Sequence, residues 1–532
     1  MTDISFHGES LVIDFRPPFD LGQYETFLSS KKLPESKLDY DFSTQSYRLE
    51  APARYARLFG LEPPQGNRGR LLFHPGLLDR QEFAVKLALA AKRFAVWYDT
   101  GLGKTLIELE FARQVAHITD GRVLLIAPLN VVPQTMGEAF KFYGPDLAIK
   151  HLTSREEMKD WCKSGPPGLA ITNPEKFIPR DGEEFIPEIQ YLAGVVLDES
   201  SILKTGAGKI KWCLIKSCRG VEYKLSCTAT PAPNDAMEYA SQASWLEKIR
   251  NEGDILWTYF VKTADGEWKV KEHAKTGFYR FLAGWSLYLR NPEVFGFRDD
   301  LKDIPPADIR EYLISPTPEQ LAAAGSITAA DGQRSLFLDA NKLALTQRTK
   351  FRELAAGFLY DDRGQTELVN SHKPAKVADL ARADLADGRQ VLIWTKFDAE
   401  AEILAELLAD YKPATLIGKT PQKARPAIID RFRSGQTRTL ISKPEVLGFG
   451  LNFQNCSSMI FSGFDDSFER FYQAMRRCYR YGQTQTVRVH IPFIPELEGV
   501  VWANVKEKEA RINQEIRYQE LSYKTALKEL LT

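Results

Sequence analysis

The chain reads Val96-Trp97-Tyr98-Asp99-Thr100-Gly101-Leu102-Gly103-Lys104-Thr105-Leu106 at the stretch that decides its fold. An apolar run typical of a β-strand stops at Gly-Leu-Gly, and Lys-Thr then begins an amphipathic helix. Glycines let the backbone approach an anion closely, and the N–H groups of the helix N-terminus point towards it. We therefore predict a phosphate-binding loop made of Thr100, Gly101, Leu102, Gly103, Lys104 and Thr105. In such a loop the lysine contacts the β- and γ-phosphates and the threonine hydroxyl binds Mg²⁺.

This loop departs from the full G-x-x-x-x-G-K-[ST] pattern, because Tyr98 takes the place of the first glycine. An ordinary turn between a strand and a helix is therefore an open alternative for the segment taken alone. The rest of the chain has to decide between the two.

The composition is that of a globular protein, with 44% hydrophobic and 26% charged residues in a chain of 532. That length predicts roughly three domains. The formal net charge is zero, so any surface for nucleic acid must be a local basic one. No apolar run is long enough for a membrane span, and no signal peptide is visible. Six cysteines without a C-x-x-C pair predict reduced thiols and a cytoplasmic protein.

Two series of apolar strands alternate with helical patterns, which predicts two α/β lobes with parallel sheets. The first lobe is expected at 74–245 and the second at 366–500. Between them, 246–365 reads as an aromatic-rich and mostly helical extension. A small α+β accessory domain is expected at 1–66, and the charged, periodic 501–532 reads as C-terminal helices.

One strand of the first series ends in two adjacent carboxylates, within Gly194-Val195-Val196-Leu197-Asp198-Glu199-Ser200-Ser201. A buried parallel strand delivers its C-terminal residues to the ligand edge of the sheet. Asp198 is therefore predicted to hold Mg²⁺ and Glu199 to polarise an attacking water. The alternative is that the pair only caps the next helix.

Three further patterns suit the same chemistry. Leu225-Ser226-Cys227-Thr228-Ala229-Thr230-Pro231 is predicted to form a rigid polar turn, in which Thr228 and Thr230 relay the state of the nucleotide. Gln473, Arg477 and Arg480 are predicted to share one helical face that stabilises a transferring phosphoryl group. The alternatives are a solvated basic helix face or a stripe that contacts DNA. Gly448 and Gly450 bracket a loop suited to close backbone approach.

The ordered set of motifs resembles the superfamily 2 helicase-type ATPases, most closely the SWI/SNF-like branch of DNA translocases, in a compact bacterial or phage form. The matching segments, which cover about 74–500, are Leu78–Gln81, Asp99–Thr105, Ile126–Leu129, Ile171–Glu175, Asp198–Ser201, Thr228–Pro231, Val391–Thr395, Gly448–Gln454 and Gln473–Gln483. The resemblance implies two tandem RecA-like lobes that bind ATP with Mg²⁺ and act on DNA.

The resemblance also implies roles for single residues. Arg80 and Gln81 match the adenine-reading motif. The predicted contacts to nucleic-acid phosphates are Thr172, Asn173, Thr395, Lys396, Ser442 and Lys443, with strand-end caps or solvated lysines as the alternative. Motif II departs from the branch, because Ser200-Ser201 stands where Ala-His is usual. Coupling between nucleotide and second lobe is therefore expected to run through other groups.

The leading hypothesis is an ATP-dependent translocase on duplex or branched DNA, without base-specific readout, that remodels junctions or protein–DNA complexes. A strand-separating helicase, on DNA or RNA, is the first alternative. The second is an ATP-gated nucleic-acid clamp with impaired hydrolysis.

Overall fold

The computed structural model describes most of the chain, in two compact units. The described residues are 2–7, 10–30, 36–52, 55–56, 59, 61, 71–179, 182–204, 208–232, 238–262, 268–298, 304–334, 340–361, 363–447, 451–480 and 482–531. The first unit comprises Met1–Asp99, Gly103–Leu289 and Ser522–Thr532, and the second comprises Thr100–Leu102 and Arg290–Leu521.

The N-terminal part of the first unit is a four-stranded antiparallel sheet with one helix. Its elements are β1 (Thr2–His7), β2 (Ser10–Phe15), α1 (Leu21–Ser30), β3 (Lys37–Asp41) and β4 (Ser46–Pro52), and the strand order is β1-β2-β4-β3. Leu11, Ile13 and Phe15 alternate along β2 and are buried, as expected for a strand with one face on a core. The ring of Phe27 on α1 packs edge-on against Phe15, which covers that face.

The main body of the first unit is a seven-stranded parallel sheet. Its strands are β5 (Arg93–Tyr98), β6 (Arg122–Ile126), β7 (Ile149–His151), β8 (Gly168–Thr172), β9 (Gly194–Leu197), β10 (Tyr223–Cys227) and β13 (Ser286–Leu289), in the order β13-β5-β10-β9-β6-β8-β7. A separate antiparallel hairpin consists of β11 (Phe260–Lys262) and β12 (Trp268–Val270). Strands β5, β9 and β10 are buried almost throughout, as expected for central parallel strands.

Eight helices accompany this sheet in the described part of the unit. They are α2 (Asp79–Ala91), α3 (Lys104–Thr119), α4 (Val132–Tyr143), α5 (Arg155–Ser164), α6 (Lys209–Ser217), α7 (Glu238–Trp245), α8 (Glu252–Tyr259) and α9 (Lys275–Ala283). Helix α3 packs against the central strands with Ile107, Leu109 and Phe111 fully buried, so the loop before it is anchored at the middle of the sheet.

The second unit contains a six-stranded parallel sheet. Its strands are β14 (Asp308–Leu313), β17 (Val391–Trp394), β18 (Ala414–Leu416), β19 (Thr439–Ser442), β20 (Ser458–Phe461) and β21 (Arg488–Phe493), in the order β14-β21-β20-β17-β19-β18. A small hairpin is formed by β15 (Phe358–Tyr360) and β16 (Thr366–Leu368). The helices are α10 (Pro318–Arg334), α11 (Ala340–Ala355), α12 (His372–Ala386), α13 (Asp398–Leu407), α14 (Arg425–Arg433), α15 (Pro444–Leu447), α16 (Phe468–Met475) and α17 (Pro495–Leu531). Helix α17 belongs to this unit as far as Leu521.

The predicted fold class, two α/β lobes with parallel sheets, is confirmed. Strands β8, β9 and β20 coincide with Gly168–Thr172, Gly194–Leu197 and Ser458–Phe461, three apolar runs that the sequence predicts as strands. The segment expected to be mostly helical contains α8 to α11, and it also supplies β13 to one sheet and β14 to the other. The five domain boundaries stay a prediction. Among the described residues, no helix is long and apolar enough to cross a membrane.

Candidate nucleotide site

The loop that follows β5 has a backbone that only glycine adopts easily. Gly101 and Gly103 have φ angles of 91° and 82°, in the left-handed region. A Cβ atom at Gly103 would lie 2.1 Å from Nε2 of Gln81. That amide nitrogen donates to the Gly103 carbonyl at 3.2 Å, while its oxygen accepts from the Leu78 amide at 2.9 Å. The start of α2 therefore holds the end of the loop, and both glycines are required there.

Lys104 and Thr105 begin α3, where the helix N-terminus favours an anion. The Lys104 ammonium donates to the carbonyls of Tyr98, at 2.9 Å, and Asp99, at 3.4 Å. The Tyr98 hydroxyl in turn donates to the Arg80 carbonyl at 2.7 Å. Arg80 and Gln81 are both buried, and they lie against this loop from α2. Their predicted contact with adenine stays a prediction.

Asp198 and Glu199 follow β9, a central strand between β10 and β6. The Asp198 amide continues the sheet by donating to Ile126 at 2.9 Å, and its Oδ1 accepts from the Glu199 amide at 2.8 Å. Glu199 has a φ of 48°, which is unusual for a residue with a side chain and marks a constrained turn. Asp198 is half-buried, and burial raises its pKa while the positive charge of Lys104 opposes that shift. The predicted carboxylate pair and the predicted lysine thus lie at the same edge of the sheet.

A third carboxyl group, which the sequence did not reveal, completes this site. Glu108 lies on α3 one turn after Lys104 and is 1% exposed. Burial and the negative charge of Asp198 raise the pKa of Glu108 well above its ordinary value. The raised pKa favours the protonated form of Glu108 beside the Asp198 carboxyl group, in which Glu108 is able to donate a hydrogen bond. Helical spacing places it beneath Lys104, but no sequence pattern indicated its carboxylate neighbour.

Two substitutions of Glu108 test whether its side chain supports Asp198 as a hydrogen-bond donor. Glu108→Gln keeps a donor of similar shape, and we expect ATP turnover within about threefold of the parent protein. Glu108→Ala removes the support of Asp198 and should lower turnover or Mg²⁺ affinity by about 10- to 100-fold, as loss of groups that orient metal ligands does. A Mg²⁺ titration of ATP hydrolysis, with thermal unfolding as the folding control, measures both. Equal losses in the two variants would contradict this role.

The oxygen donors at this edge suit a magnesium ion carried by a nucleotide. Mg²⁺ keeps several waters and takes one or two protein ligands besides substrate phosphates. Among the described residues, no group of three or more His, Cys, Asp or Glu side chains could hold a metal. The Asp198 carboxylate and the Thr105 hydroxyl would hold the ion, which neutralises charge on the phosphates when bound.

The altered motif II is linked to its neighbours by Gln242, a buried residue of α7. Its Oε1 accepts from Ser200 Oγ at 3.2 Å and from Trp97 Nε1 at 2.9 Å, and its Nε2 donates to the Pro231 carbonyl at 2.9 Å. One amide thus connects β5, the turn after β9 and the turn after β10. The sequence reasoning missed it, and its only signal was a polar residue in a short apolar helix.

Thr228 and Thr230, the predicted coupling residues, lie in that last turn. Thr228 is fully buried, and its hydroxyl accepts from the Thr230 amide at 3.2 Å. The rigid polar turn expected from the sequence is therefore present, and its coupling role stays a prediction.

The predicted helical face of Gln473, Arg477 and Arg480 was wrong in its geometry. Helix α16 ends at Met475, so Gln473 lies on the helix while the two arginines follow in turns. Arg477 is 9% exposed, and its guanidinium donates to the Leu451 carbonyl at 3.0 Å. Its backbone carbonyl accepts from the Phe453 amide at 2.9 Å, so this backbone group pairs outside a helix. The predicted catalytic roles of all three residues remain predictions. Gly448 and Gly450 lie outside the described residues.

The predicted nucleic-acid contacts are mostly buried side chains with internal partners. The hydroxyls of Thr172, Thr395 and Ser442 donate to the carbonyls of Leu152, Ser442 and Leu416. Asn173 donates to Glu175. Lys443 pairs with Asp398 at 2.6 Å, and Lys396 pairs with Glu445 and Asp465. The two lysines retain 19% and 25% exposure, so they are the most accessible members of the set.

The chain matches two family descriptions in the expected order. Residues 79–238 match the DEAD/DEAH box helicase domain, and residues 372–482 match the helicase conserved C-terminal domain. These two segments together make up about half of the chain.

Curated relatives include chromodomain-helicase-DNA-binding protein 8 of Xenopus tropicalis and of Homo sapiens. Each is 24% identical over 428 residues, which cover 74% of this chain but 19% and 16% of those proteins. The chain therefore spans less than a fifth of their length.

Two solved structures of the Sulfolobus solfataricus SWI2/SNF2 ATPase core also align with this chain. The complex with dsDNA covers 80% of this chain and 90% of its own, and the core domain without DNA covers 81% and 88%. Their identities are 18% and 17%, and both TM-scores are 0.38.

Both helicase domains occur in the order of the sequence motifs, and a lysine–carboxylate site lies at the edge of the first sheet. The chain therefore belongs to the helicase-type ATPases that these two domains define.

Proposed function

We propose that this ATPase is a translocase on double-stranded DNA that remodels DNA junctions or protein–DNA complexes. The observation that supports it most is the site built by Lys104, Asp198 and Glu199, which has the groups that ATP hydrolysis with Mg²⁺ requires. The curated relatives are named as DNA-binding helicase proteins, which favours DNA as the polymer. Contacts to phosphates carry no sequence information, so tracking without base readout is expected.

The test is ATP hydrolysis measured without nucleic acid and with duplex DNA, single-stranded DNA or RNA. We expect the highest turnover with duplex DNA and a steep loss of affinity with salt. Highest turnover with RNA would contradict the proposal. ATP binding without hydrolysis on any polymer would instead favour a nucleotide-gated clamp.

A strand-separating helicase is the second candidate, because the first unit carries an aromatic hairpin. Trp257, at the end of α8, is 78% exposed, and its ring lies edge-on to Trp268 of β12 at 6.2 Å. Lys262 of β11 is the direct cross-strand partner of Trp268. The Lys271 ammonium donates to the Trp257 carbonyl at 2.9 Å, which ties the helix end to the hairpin. An exposed indole beside a lysine suits stacking on an unpaired base.

Trp257→Ala tests this candidate. If the hairpin separates strands, unwinding of a forked duplex should fall about tenfold, since one base stack is worth about 1–3 kcal/mol. Phe140→Ala is the matched control, because Phe140 of α4 is also largely exposed. Unwinding that is absent in the parent protein, or equal in both variants, would exclude a role for the hairpin.

A further inference from the structure

The second unit contains a small charged pocket at the carboxyl ends of β17 and β20. Four charged side chains line it, namely Lys396, Glu445, Asp465 and Arg470. This edge of a parallel sheet is where ligands of α/β folds bind. Lys396 is one of the predicted phosphate contacts, whereas Arg470 and the two carboxylates were not part of any prediction.

The two cations meet on one oxygen atom. Oε1 of Glu445 lies 2.9 Å from Lys396 Nζ and 3.0 Å from Arg470 Nη1. Asp465 Oδ2 lies 3.2 Å and 2.5 Å from the same two nitrogens. An oxygen held between an ammonium and a guanidinium has the surroundings of a bound phosphate oxygen.

The backbone of Lys396 is positioned independently of Glu445. The Lys396 amide donates to Glu400 Oε2 at 2.8 Å, and Glu400 Oε1 accepts from Ser462 Oγ at 2.6 Å. A Cβ atom at Gly463 would lie 2.6 Å both from that Glu400 oxygen and from the Lys396 nitrogen. The backbone at Lys396 is therefore closely packed, and the residue at position 463 beside it must be glycine.

The two carboxylates differ in how firmly they are held. Asp465 is 15% exposed, and its second oxygen accepts from the Ser467 amide at 2.9 Å, at the start of α16. Glu445 lies on the four-residue helix α15, and its side chain is 37% exposed. Ion pairs at this level of exposure contribute little to stability. Glu445 is thus the carboxylate that an incoming anion displaces most easily.

We propose that Lys396 and Arg470 form a subsite for a phosphate group of the nucleic-acid backbone, which the Glu445 carboxylate occupies when nucleic acid is absent. The inference rests on the proposed nucleic-acid translocase, and it adds a residue, Arg470, and a competitor to its binding surface. Asp465 stays with the two cations in both states, so the exchange replaces one anion by another and leaves the local charge nearly balanced.

The test is the affinity for a fluorescent DNA duplex, measured by anisotropy without nucleotide at fixed salt concentration. Glu445→Gln removes the competing charge and should bind about three- to tenfold more tightly, the size expected when a lysine and an arginine are freed for phosphate. Glu402→Gln is the matched control, because it changes the net charge equally. Glu402 pairs with Lys419 at 3.1 Å on the exposed surface of the same unit. This control should bind within about twofold of the parent protein.

Arg470→Ala should weaken binding about fivefold, and adding Glu445→Gln to it should give a smaller gain than in the parent protein. Thermal unfolding checks that each variant is folded. If Glu445→Gln binds no more tightly than Glu402→Gln, the subsite is overturned while DNA-stimulated ATP hydrolysis of the parent protein still supports the translocase. If the parent protein binds no nucleic acid, both proposals fail.

Discussion

Lys104→Ala is expected to abolish ATP hydrolysis, with turnover at least about 10³-fold lower, as loss of a preorganised cation at a phosphate does. Lys104 is the first residue of α3, directly after the glycine loop. Its ammonium group lies 2.9 Å from the Tyr98 carbonyl oxygen. Alanine leaves the loop glycines in place but removes the charge that binds β- and γ-phosphates. Steady-state turnover together with binding of a fluorescent ATP analogue measures the loss, which should appear in affinity as well.

The matched control is Lys86→Ala. Lys86 lies on α2 in the same unit, and its exposed side chain pairs with Glu82. It changes the net charge equally, and turnover should stay within about twofold of the parent value because exposed pairs contribute little. Unchanged hydrolysis in Lys104→Ala would mean that the loop does not bind the nucleotide.

Glu199→Gln should lower turnover by about 10²- to 10⁴-fold while ATP binding is retained, because it removes a general base without changing the shape of the side chain. Glu199 follows Asp198 directly in a turn whose φ of 48° aims the two side chains differently. The diagnostic result is that turnover falls while ATP binding is retained. If Glu199 had only a structural role, both quantities would be weakened. Single-turnover hydrolysis and ATP-analogue binding give the two quantities.

Glu184→Gln controls for the loss of a carboxylate, because Glu184 is 73% exposed and pairs with Lys216 in the same unit. Hydrolysis by Glu199→Gln at the rate of this control would assign water activation to another group.

The fold could be predicted because its signals are local. Buried parallel strands are short apolar runs, and Gly194–Leu197 or Ser458–Phe461 can be recognised without knowing their neighbours. The order of the strands within each sheet cannot be recognised from local sequence patterns. Strand β13 pairs with β5, and β14 pairs with β21, across almost two hundred residues each. Both lie in a segment whose own pattern favoured helices, and pairing with a sheet edge overrode that preference.

The candidate nucleotide site, like the fold, could be predicted only in part from the sequence. Lys104, Asp198 and Glu199 end or begin buried elements, and the carboxyl edge of a parallel sheet brings such ends together. Arg477 and Arg480 were assigned to a helical face from spacing alone, but the helix ends at Met475 and the backbone carbonyl of Arg477 pairs with the distant Phe453 amide. Periodicity describes a helix only while no tertiary contact competes with it.

The sequence by itself determined that the chain has two α/β lobes with parallel sheets, and that a glycine loop with Lys104 lies at the same sheet edge as Asp198 and Glu199. Glycine spacing, apolar periodicity and strand ends are properties of adjacent residues, so they need no knowledge of the packed chain. Only the tertiary structure decided that Glu108 is buried beside Asp198 with a raised pKa, that Gln242 connects β5 with the turns after β9 and β10, and that Glu445 lies between Lys396 and Arg470. The physical reason is that protonation, hydrogen bonding and ion pairing depend on burial and on neighbours that are distant in sequence.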